Sequence, residues 1–419
     1  MGYVGLPLAI RFAKSGVYVV GIDLDKVKVD SLNQGKSYIK HISDEDISFV
    51  KKNDKFFVSS DFSEVKASDA IIICVPTPLN QHREPDISYV LKSGEAISPY
   101  LKFKNYHRAK LVVLESTTYP GTTDTELREV LEKQSGLKAG KDFHLAYSPE
   151  REDPGRTDFS VKSIPKVMGG LTSECLNRCK ELYLLALDSI YPVESCRIAE
   201  ATKLTENIFR SVNIALVNEL KVIYQKMGID VWDVVSAAST KPFGYMPFYP
   251  GPGLGGHCIP IDPFYLTWKA HEFGQHTRFI ELAGEINTAM PNYVVSVVTD
   301  ALNNEGKSVK GSRILILGLA YKPNVDDDRE SPSYCLMQKL ELKGALVDYN
   351  DPNVPIIPNT REYAQYAGRS SVEITEKYDL ILLATHHDEY KDYDFSNFSI
   401  PLVDTRNCVS KKPIKYYKA

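Results

Sequence analysis

Short runs of uninterrupted apolar residues recur along the chain, and each stops abruptly at a polar residue, a proline or a glycine. Val17-Tyr18-Val19-Val20-Gly21-Ile22 ends in Asp23, and Ala70-Ile71-Ile72-Ile73-Cys74-Val75 stops at Pro76-Thr77-Pro78. Leu111-Val112-Val113-Leu114 passes into Glu115-Ser116-Thr117-Thr118, after which Pro120-Gly121-Thr122 opens a helix. Runs that are apolar at both parities read as parallel strands covered on both faces, rather than as half-exposed strands with alternating polarity. A second set begins near residue 311: Arg313 to Gly318, Ala345 to Tyr349 closed by Asn350-Asp351-Pro352, Asp379 to Ala384, and Pro401 to Asp404. Between the two sets the period changes. From Ser195 to Gly228, Ala199, Leu204, Ile208, Val212, Ala215, Leu216, Leu220 and Ile223 recur at helical spacing, with no internal glycine or proline.

This pattern predicts an α/β protein: two Rossmann-like domains joined by a long central helix. The expected boundaries are 1–194 for the first domain, 195–295 for a central helical domain and 296–419 for the second nucleotide-type domain. A chain of 419 residues is too long for one ordinary core, in keeping with that division. In such sheets ligands bind at the carboxyl ends of the strands, so the polar residues that terminate the runs are the functional candidates.

The amino terminus carries half of a dinucleotide signature. Gly2-Tyr3-Val4-Gly5 fits the second and third glycines of G-x-G-x-x-G, and Asp23 fits the acid that accepts from the ribose hydroxyls. An acid there predicts NAD rather than NADP, because a carboxylate repels a 2′-phosphate. The first glycine and the strand before it are not in the sequence. The expected sheet therefore has the first strand of the N-terminal domain missing, and we expect the natural chain to begin upstream or this one to be a truncated product.

Composition narrows the classes. Apolar content of 43%, charged content of 25% and a net charge of −4 fit a soluble globular protein and give no case for a nucleic-acid partner. No apolar run reaches the roughly 20 residues of a membrane span. Seven scattered cysteines point to reduced thiols and a cytoplasmic location. Cys175 and Cys179 have loose metal-ligand spacing, but no second Cys/His pair completes a site, so no metal is expected.

Three segments carry candidate chemistry. Gly255-Gly256-His257-Cys258-Ile259-Pro260-Ile261-Asp262-Pro263 sets a thiol just after two glycines and a carboxylate four positions later. With Pro250-Gly251-Pro252-Gly253-Leu254 upstream, the stretch reads as a shaped loop with either an inert buried thiol or a nucleophile. His257 is read as a loop residue, since adjacent side chains usually point apart. Lys203 and Asn207 lie four apart, on one helix face. Lys322 and Arg329 flank the acidic run Asp326-Asp327-Asp328, where they could hold phosphates.

Taken together, these segments resemble the nucleotide-sugar 6-dehydrogenase family. The resemblance runs through Gly2-Tyr3-Val4-Gly5, Val75-Pro76-Thr77-Pro78, Glu115-Ser116-Thr117, Ser148-Pro149-Glu150, Lys203-Leu204-Thr205-Glu206-Asn207, the Cys258 segment and Lys322 to Pro332. Tyr147 to Gly155 and Tyr249-Pro250-Gly251-Pro252-Gly253 look like the branch acting on UDP-N-acetylglucosamine. The resemblance implies a four-electron oxidation of a UDP-sugar C6 alcohol to the uronic acid for surface polysaccharide or O-antigen synthesis. Cys258 would be the covalent nucleophile. Lys203 and Asn207 would steady the oxyanion, Asp262 would act with a water as base, and Thr118 and Glu150 would position that water. It places NAD against Gly2, Tyr3, Val4, Gly5, Asp23, Val75, Pro76, Thr77, Ser116, Thr117 and Arg329. It places the sugar nucleotide against Glu150, Arg151, Lys203, Asn207, Tyr249, Gly253, Gly255 and Lys322, in a homodimer or higher oligomer. UDP-glucose and the UDP-N-acetylated mannosamine and galactosamine sugars remain alternative substrates. A dehydrogenase making a single hydride transfer, and a non-catalytic UDP-sugar-binding protein, are the other readings.

Overall fold

The structure is a computed structural model that describes all residues except 40–41, 81–83, 103–108, 152–163, 257 and 361. Two compact units emerge. One comprises Met1–Glu206 with Phe264–His276, the other Asn207–Pro263 with Thr277–Ala419. The change-over falls inside two helices, Cys196–Lys226 and Cys258–Glu272.

The first unit holds two sheets. Strands β1 (Val19–Ile22) and β2 (Phe56–Ser59) pair in parallel. Strands β3 (Ala70–Ile73), β4 (Leu111–Leu114), β5 (His144–Tyr147), β6 (Lys166–Gly170) and β7 (Ile190–Val193) form the other, in that order. All its pairings are parallel except β5 with β6. Among the described residues no strand joins β1 to β3. The start of the chain packs on β1 instead, with the Met1 thioether against Gly21 and its ammonium 2.5 Å from Asp23.

Strand β4 shows why the apolar runs are uninterrupted. Val112 and Leu114 enter one core with Leu145 and Tyr147, while Leu111 and Val113 enter the opposite one with Leu8, Phe12 and Met168. Both faces of a covered strand must be apolar, and each fully buried aliphatic side chain contributes about 1.5–3 kcal/mol. Gly169 and Gly170 let β6 approach its neighbours. A Cβ on Gly169 would lie 2.1 Å from the Ser195 carbonyl oxygen, and one on Gly170 would lie 2.3 Å from the Leu176 nitrogen.

The second unit contains β8 (Arg313–Leu317), β9 (Leu346–Asn350), β10 (Leu380–Leu383), β11 (Leu402–Asp404) and β12 (Tyr416–Lys418). They form one parallel sheet in the order β12-β11-β10-β8-β9. Ile314 and Ile316 face one core of this sheet, Leu315 and Leu317 the other. Strand order reverses between β8 and β10, which makes the carboxyl ends of those strands the expected ligand crevice. No helix among the described residues is long and apolar enough to cross a membrane.

One sequence expectation is corrected. The Cys258 stretch is not loop throughout: Cys258 is the first residue of a helix that runs to Glu272. Pro260 falls in the first turn, where backbone N–H groups have no intrahelical partner, so it does not oppose the helix. Pro263 lies deeper and deletes one ladder hydrogen bond.

Candidate active site

In the first unit the candidate residues gather at the carboxyl ends of three adjacent strands. Val75, Pro76 and Thr77 follow β3; Glu115, Ser116, Thr117 and Thr118 follow β4; Ser148 and Glu150 follow β5. Side chains tie the strand ends together: Ser116 Oγ donates to the Val75 carbonyl at 2.6 Å, and Thr77 Oγ1 to the Thr117 carbonyl at 2.8 Å. Tyr265, on the helix after Asp262, donates to the Thr77 carbonyl at 2.5 Å. The Thr118 hydroxyl is buried and has no hydrogen-bond partner among the described residues.

Lys203, on the long helix, is buried, and its Nζ donates to the Glu150 carbonyl at 2.5 Å. An ammonium has three donors, so this bond anchors the head and leaves further capacity. The Glu150 carboxylate accepts from Lys166 at 3.1 Å and from the Arg151 backbone at 2.6 Å, and Arg151 pairs with Glu206 at 2.6 Å. Lys166 also meets Glu115 at 2.7 Å. Burial pushes the Glu115 carboxyl above its usual range despite that ammonium.

The amino-terminal residues fit a dinucleotide. The helix Gly5–Lys14 begins directly after the glycine turn with no side-chain cap and no acid in its first turn, as an N-terminus that receives a pyrophosphate should. Gly5 packs its α-carbon against β3, where a Cβ would sit 3.3 Å from that of Cys74, the close helix–strand approach of the third glycine. Asp23 follows β1. Burial raises its carboxyl, but the Met1 ammonium and the Asp25 amide outweigh this and hold it below the usual carboxylate range.

In the second unit, Cys258 opens its helix and Asp262 lies one turn further on. Asp262 is buried and accepts from Asn207 Nδ2 at 2.5 Å, while Arg210 donates to Asn207 Oδ1. The Asn207 amide is thereby oriented from both ends, with one N–H still to spare. The glycines ahead of the cysteine dock on the segment holding Lys322 and Arg329. Gly256 N donates to the Arg329 carbonyl at 3.0 Å, and Arg329 itself makes a two-pronged contact with Asp327 at 2.6 and 2.8 Å. Lys322 is half-buried. Gly253 adopts φ +137° between Pro291 and Pro332, and Tyr249 stacks on Trp232 at 5.7 Å.

Gly255 has the tightest requirement: a Cβ there would sit 2.5 Å from that of Tyr321 and 3.1 Å from the Glu330 carbonyl oxygen. Gly255→Ala should therefore destabilise the protein by about 1–3 kcal/mol in chemical denaturation and weaken UDP binding. Unchanged values for both would mean that the glycine segment need not seat there.

Sequence reasoning passed over a cationic cluster in this unit. Arg406 follows β11, and a Cβ on Gly251 would lie 2.5 Å from its guanidinium. Lys221 is buried, and neither its ammonium nor the buried Tyr293 hydroxyl has a hydrogen-bond partner among the described residues. Burial and the nearby Arg406 charge lower Lys221 to about 7, and burial brings Arg406 down to about 10. Lys221, buried, and Arg406, half-buried and donating to the Ala384 carbonyl at 3.0 Å, keep donors that can meet an anion. Two signals were readable. Arg406 lies two residues past Asp404, which ends an apolar run, and Lys221 lies five whole turns after Lys203, on the same helix face.

Among the described residues six cysteines are free, and Cys175, Cys179 and Cys196 are buried. Burial pushes Cys74, Cys179 and Cys196 well up, raises Cys335, and brings Cys408 to about 12. No group of metal-ligating side chains occurs among the described residues. His257 and the Glu152 to Gly155 motif lie outside them.

A dinucleotide turn, a half-buried lysine in the segment that follows β8 of a second parallel sheet and a helix carrying a cysteine and an aspartate one turn apart point to a nucleotide-dependent dehydrogenase. The domain profiles of the UDP-glucose/GDP-mannose dehydrogenase family match the chain in order: the NAD-binding domain over 1–186, the central domain over 197–289 and the UDP-binding domain over 315–411. The protein belongs to this family and is an NAD-dependent nucleotide-sugar 6-dehydrogenase. It is 37% identical to the UDP-N-acetyl-D-glucosamine 6-dehydrogenase of Pseudomonas aeruginosa over 95% of this chain and 91% of that one. It is 36% identical to the enzyme of the same name from Salmonella typhi, over 93% and 89% of the two chains. The solved structure of the UDP-D-ManNAc dehydrogenase from Pyrococcus horikoshii superimposes with a TM-score of 0.88 at 31% identity, covering 100% of this chain and 97% of that one.

Proposed function

We propose that the protein oxidises UDP-N-acetylglucosamine at C6 to the corresponding uronic acid through a thioester on Cys258. The observation that carries this reading is the arrangement in the second unit: a cysteine at the first position of a helix, one turn before a buried aspartate whose carboxylate is fixed by Asn207. At a helix amino terminus the unpaired N–H groups favour an anion and hence the thiolate.

The overall change is RCH₂OH + 2 NAD⁺ + H₂O → RCOO⁻ + 2 NADH + 3 H⁺. NAD, when bound, accepts a hydride in each of two rounds. Asp262, through a water, takes the proton of the C6 hydroxyl as the alcohol is oxidised. Cys258 adds to the resulting aldehyde, and Lys203 and the spare N–H of Asn207 donate to the C6 oxyanion. Oxidation of this thiohemiacetal leaves a thioester. Water adds to it, activated beside Glu150 and the unpartnered Thr118 hydroxyl. The covalent bond retains the aldehyde between the two oxidations.

The Lys221–Arg406 cluster and Lys322 supply the cations for the nucleotide diphosphate. The Pseudomonas and Salmonella relatives support the N-acetylglucosamine assignment, and the product suits a role in surface polysaccharide synthesis. The exposed apolar side chains Phe209, Leu216 and Ile223 along the long helix, with Met227 just past its end, support self-association into at least a dimer. The test is NADH release across UDP-N-acetylglucosamine, its galacto and manno epimers and UDP-glucose. Two NADH per sugar with the highest kcat/KM for UDP-N-acetylglucosamine is the expected result. A higher value for another sugar overturns the substrate assignment, and one NADH per sugar overturns the thioester route.

A further inference from the structure

We propose that Lys166 is a positioning residue that holds the Glu150 carboxylate in place and balances its charge, with Glu115 as a second carboxyl sharing the same cation. This rests on the reading of Glu150 as the group beside the hydrolytic water.

Lys166 is the first residue of β6, and its side chain is only 5% exposed. Its Nζ sits 2.7 Å from Glu115 Oε2 and 3.1 Å from Glu150 Oε2. The two acids differ in access: the Glu115 side chain is fully buried, whereas Glu150 keeps 15% of its exposure. The second oxygen of Glu115 accepts from the buried Tyr183 hydroxyl, whose ring lies 5.9 Å from the lysine nitrogen. The second oxygen of Glu150 accepts from the Arg151 backbone at 2.6 Å. Among the described residues, further ionisable groups near this cluster include the Cys74 and Cys179 thiols, the Arg151–Glu206 pair and the Lys203 ammonium on the Glu150 carbonyl.

One ammonium cannot neutralise two carboxylates in a buried site. A proton held by the cluster resides on the acid that water reaches least. That acid is Glu115, which burial pushes upward. Lys166 is left to compensate Glu150, which stays ionised and is held by Lys166 and the Arg151 amide. In hydrolysis the water oxygen bonds to the thioester carbon as one of its protons passes to Glu150. The C–S bond then breaks, Cys258 departs as thiolate, and the carboxylic acid product loses its proton to solvent. A lysine needed only for packing would not control the pH at which this step begins.

The experiment uses the full-length enzyme and follows uronic acid release from the acyl-enzyme by rapid quench from pH 5 to pH 9. Glu150 must be ionised, so a weaker cation shifts the acid limb up. Lys166→Met is expected to move the limb up by about one pH unit, roughly a tenfold loss on its acid side. Lys166→Arg should restore most of the wild-type profile. Glu115→Gln, nearly isosteric with the protonated acid, is expected to leave the limb in place. A Lys166→Met limb that coincides with wild type, or a Glu115→Gln limb that moves down, overturns the proposal. If Lys166→Met does not fold, Lys166→Gln, which also removes the charge, is expected to move the limb up and decides in its place. Glu150→Gln separates the two readings: wild-type hydrolysis there removes the role of Glu150 itself. Slow hydrolysis there with an unmoved limb in the uncharged Lys166 variant removes only that of Lys166.

Discussion

Cys258→Ser is expected to reduce formation of UDP-uronic acid by about 10³-fold or more, with the protein still folded and still binding UDP-sugar. A thiol with a reference pKa near 8.5 reaches the thiolate at neutral pH with modest help, whereas a serine hydroxyl does not. Cys258 has that help in its position at the start of a helix, where the backbone dipole favours negative charge. A thioester also expels a better leaving group than an ester when water attacks. The measurement is uronic acid per enzyme by chromatography, with NADH followed in parallel. Wild-type rates of acid formation in the serine variant would rule out the covalent route.

Lys203→Ala should lower kcat by about 10²–10³-fold and change the Kd for UDP-sugar by less than about tenfold. The asymmetry follows from location. Lys203 belongs to the unit with the dinucleotide turn and is anchored on the Glu150 carbonyl, while the cations assigned to the diphosphate, Lys221 and Arg406, belong to the other unit. Its donor strength is needed where charge develops at C6, so its loss falls on the transition state more than on the ground state. Calorimetric binding beside steady-state kinetics separates the two. An unchanged kcat would exclude the oxyanion role, and a loss confined to binding would move Lys203 to the substrate clamp.

The readable part of the fold was the buried part. Covered parallel strands must be apolar on both faces, so β4, β8, β10 and β11 appear in the sequence as unbroken runs, and β3 reads the same way although most of it is only half-buried. Strand β2, Phe56–Ser59, does not, because its apolar run is three residues long and ends in a serine. The antiparallel step between β5 and β6 left no local signature, since it rests on the pairing of Ala146 with Gly170 and of Tyr147 with Gly169, which only the folded chain brings together. The helix beginning at Cys258 was masked by its own prolines, which signal a loop unless they fall in a first turn. For the site, spacing within one helix was enough to pair Lys203 with Asn207. The partners of Glu150 and Arg406 come from separate strands and helices, and only the folded chain shows them.

The burial of the remaining thiols has a practical consequence. A free cysteine whose ionisation is suppressed by its surroundings reacts slowly with alkylating reagents, and Cys74, Cys179, Cys196, Cys335 and Cys408 are all suppressed in this way. Alkylation of the native protein by iodoacetamide at neutral pH is therefore expected to fall first on thiols outside this set, and comparison with Cys258→Ser separates the share of Cys258 from that of Cys175.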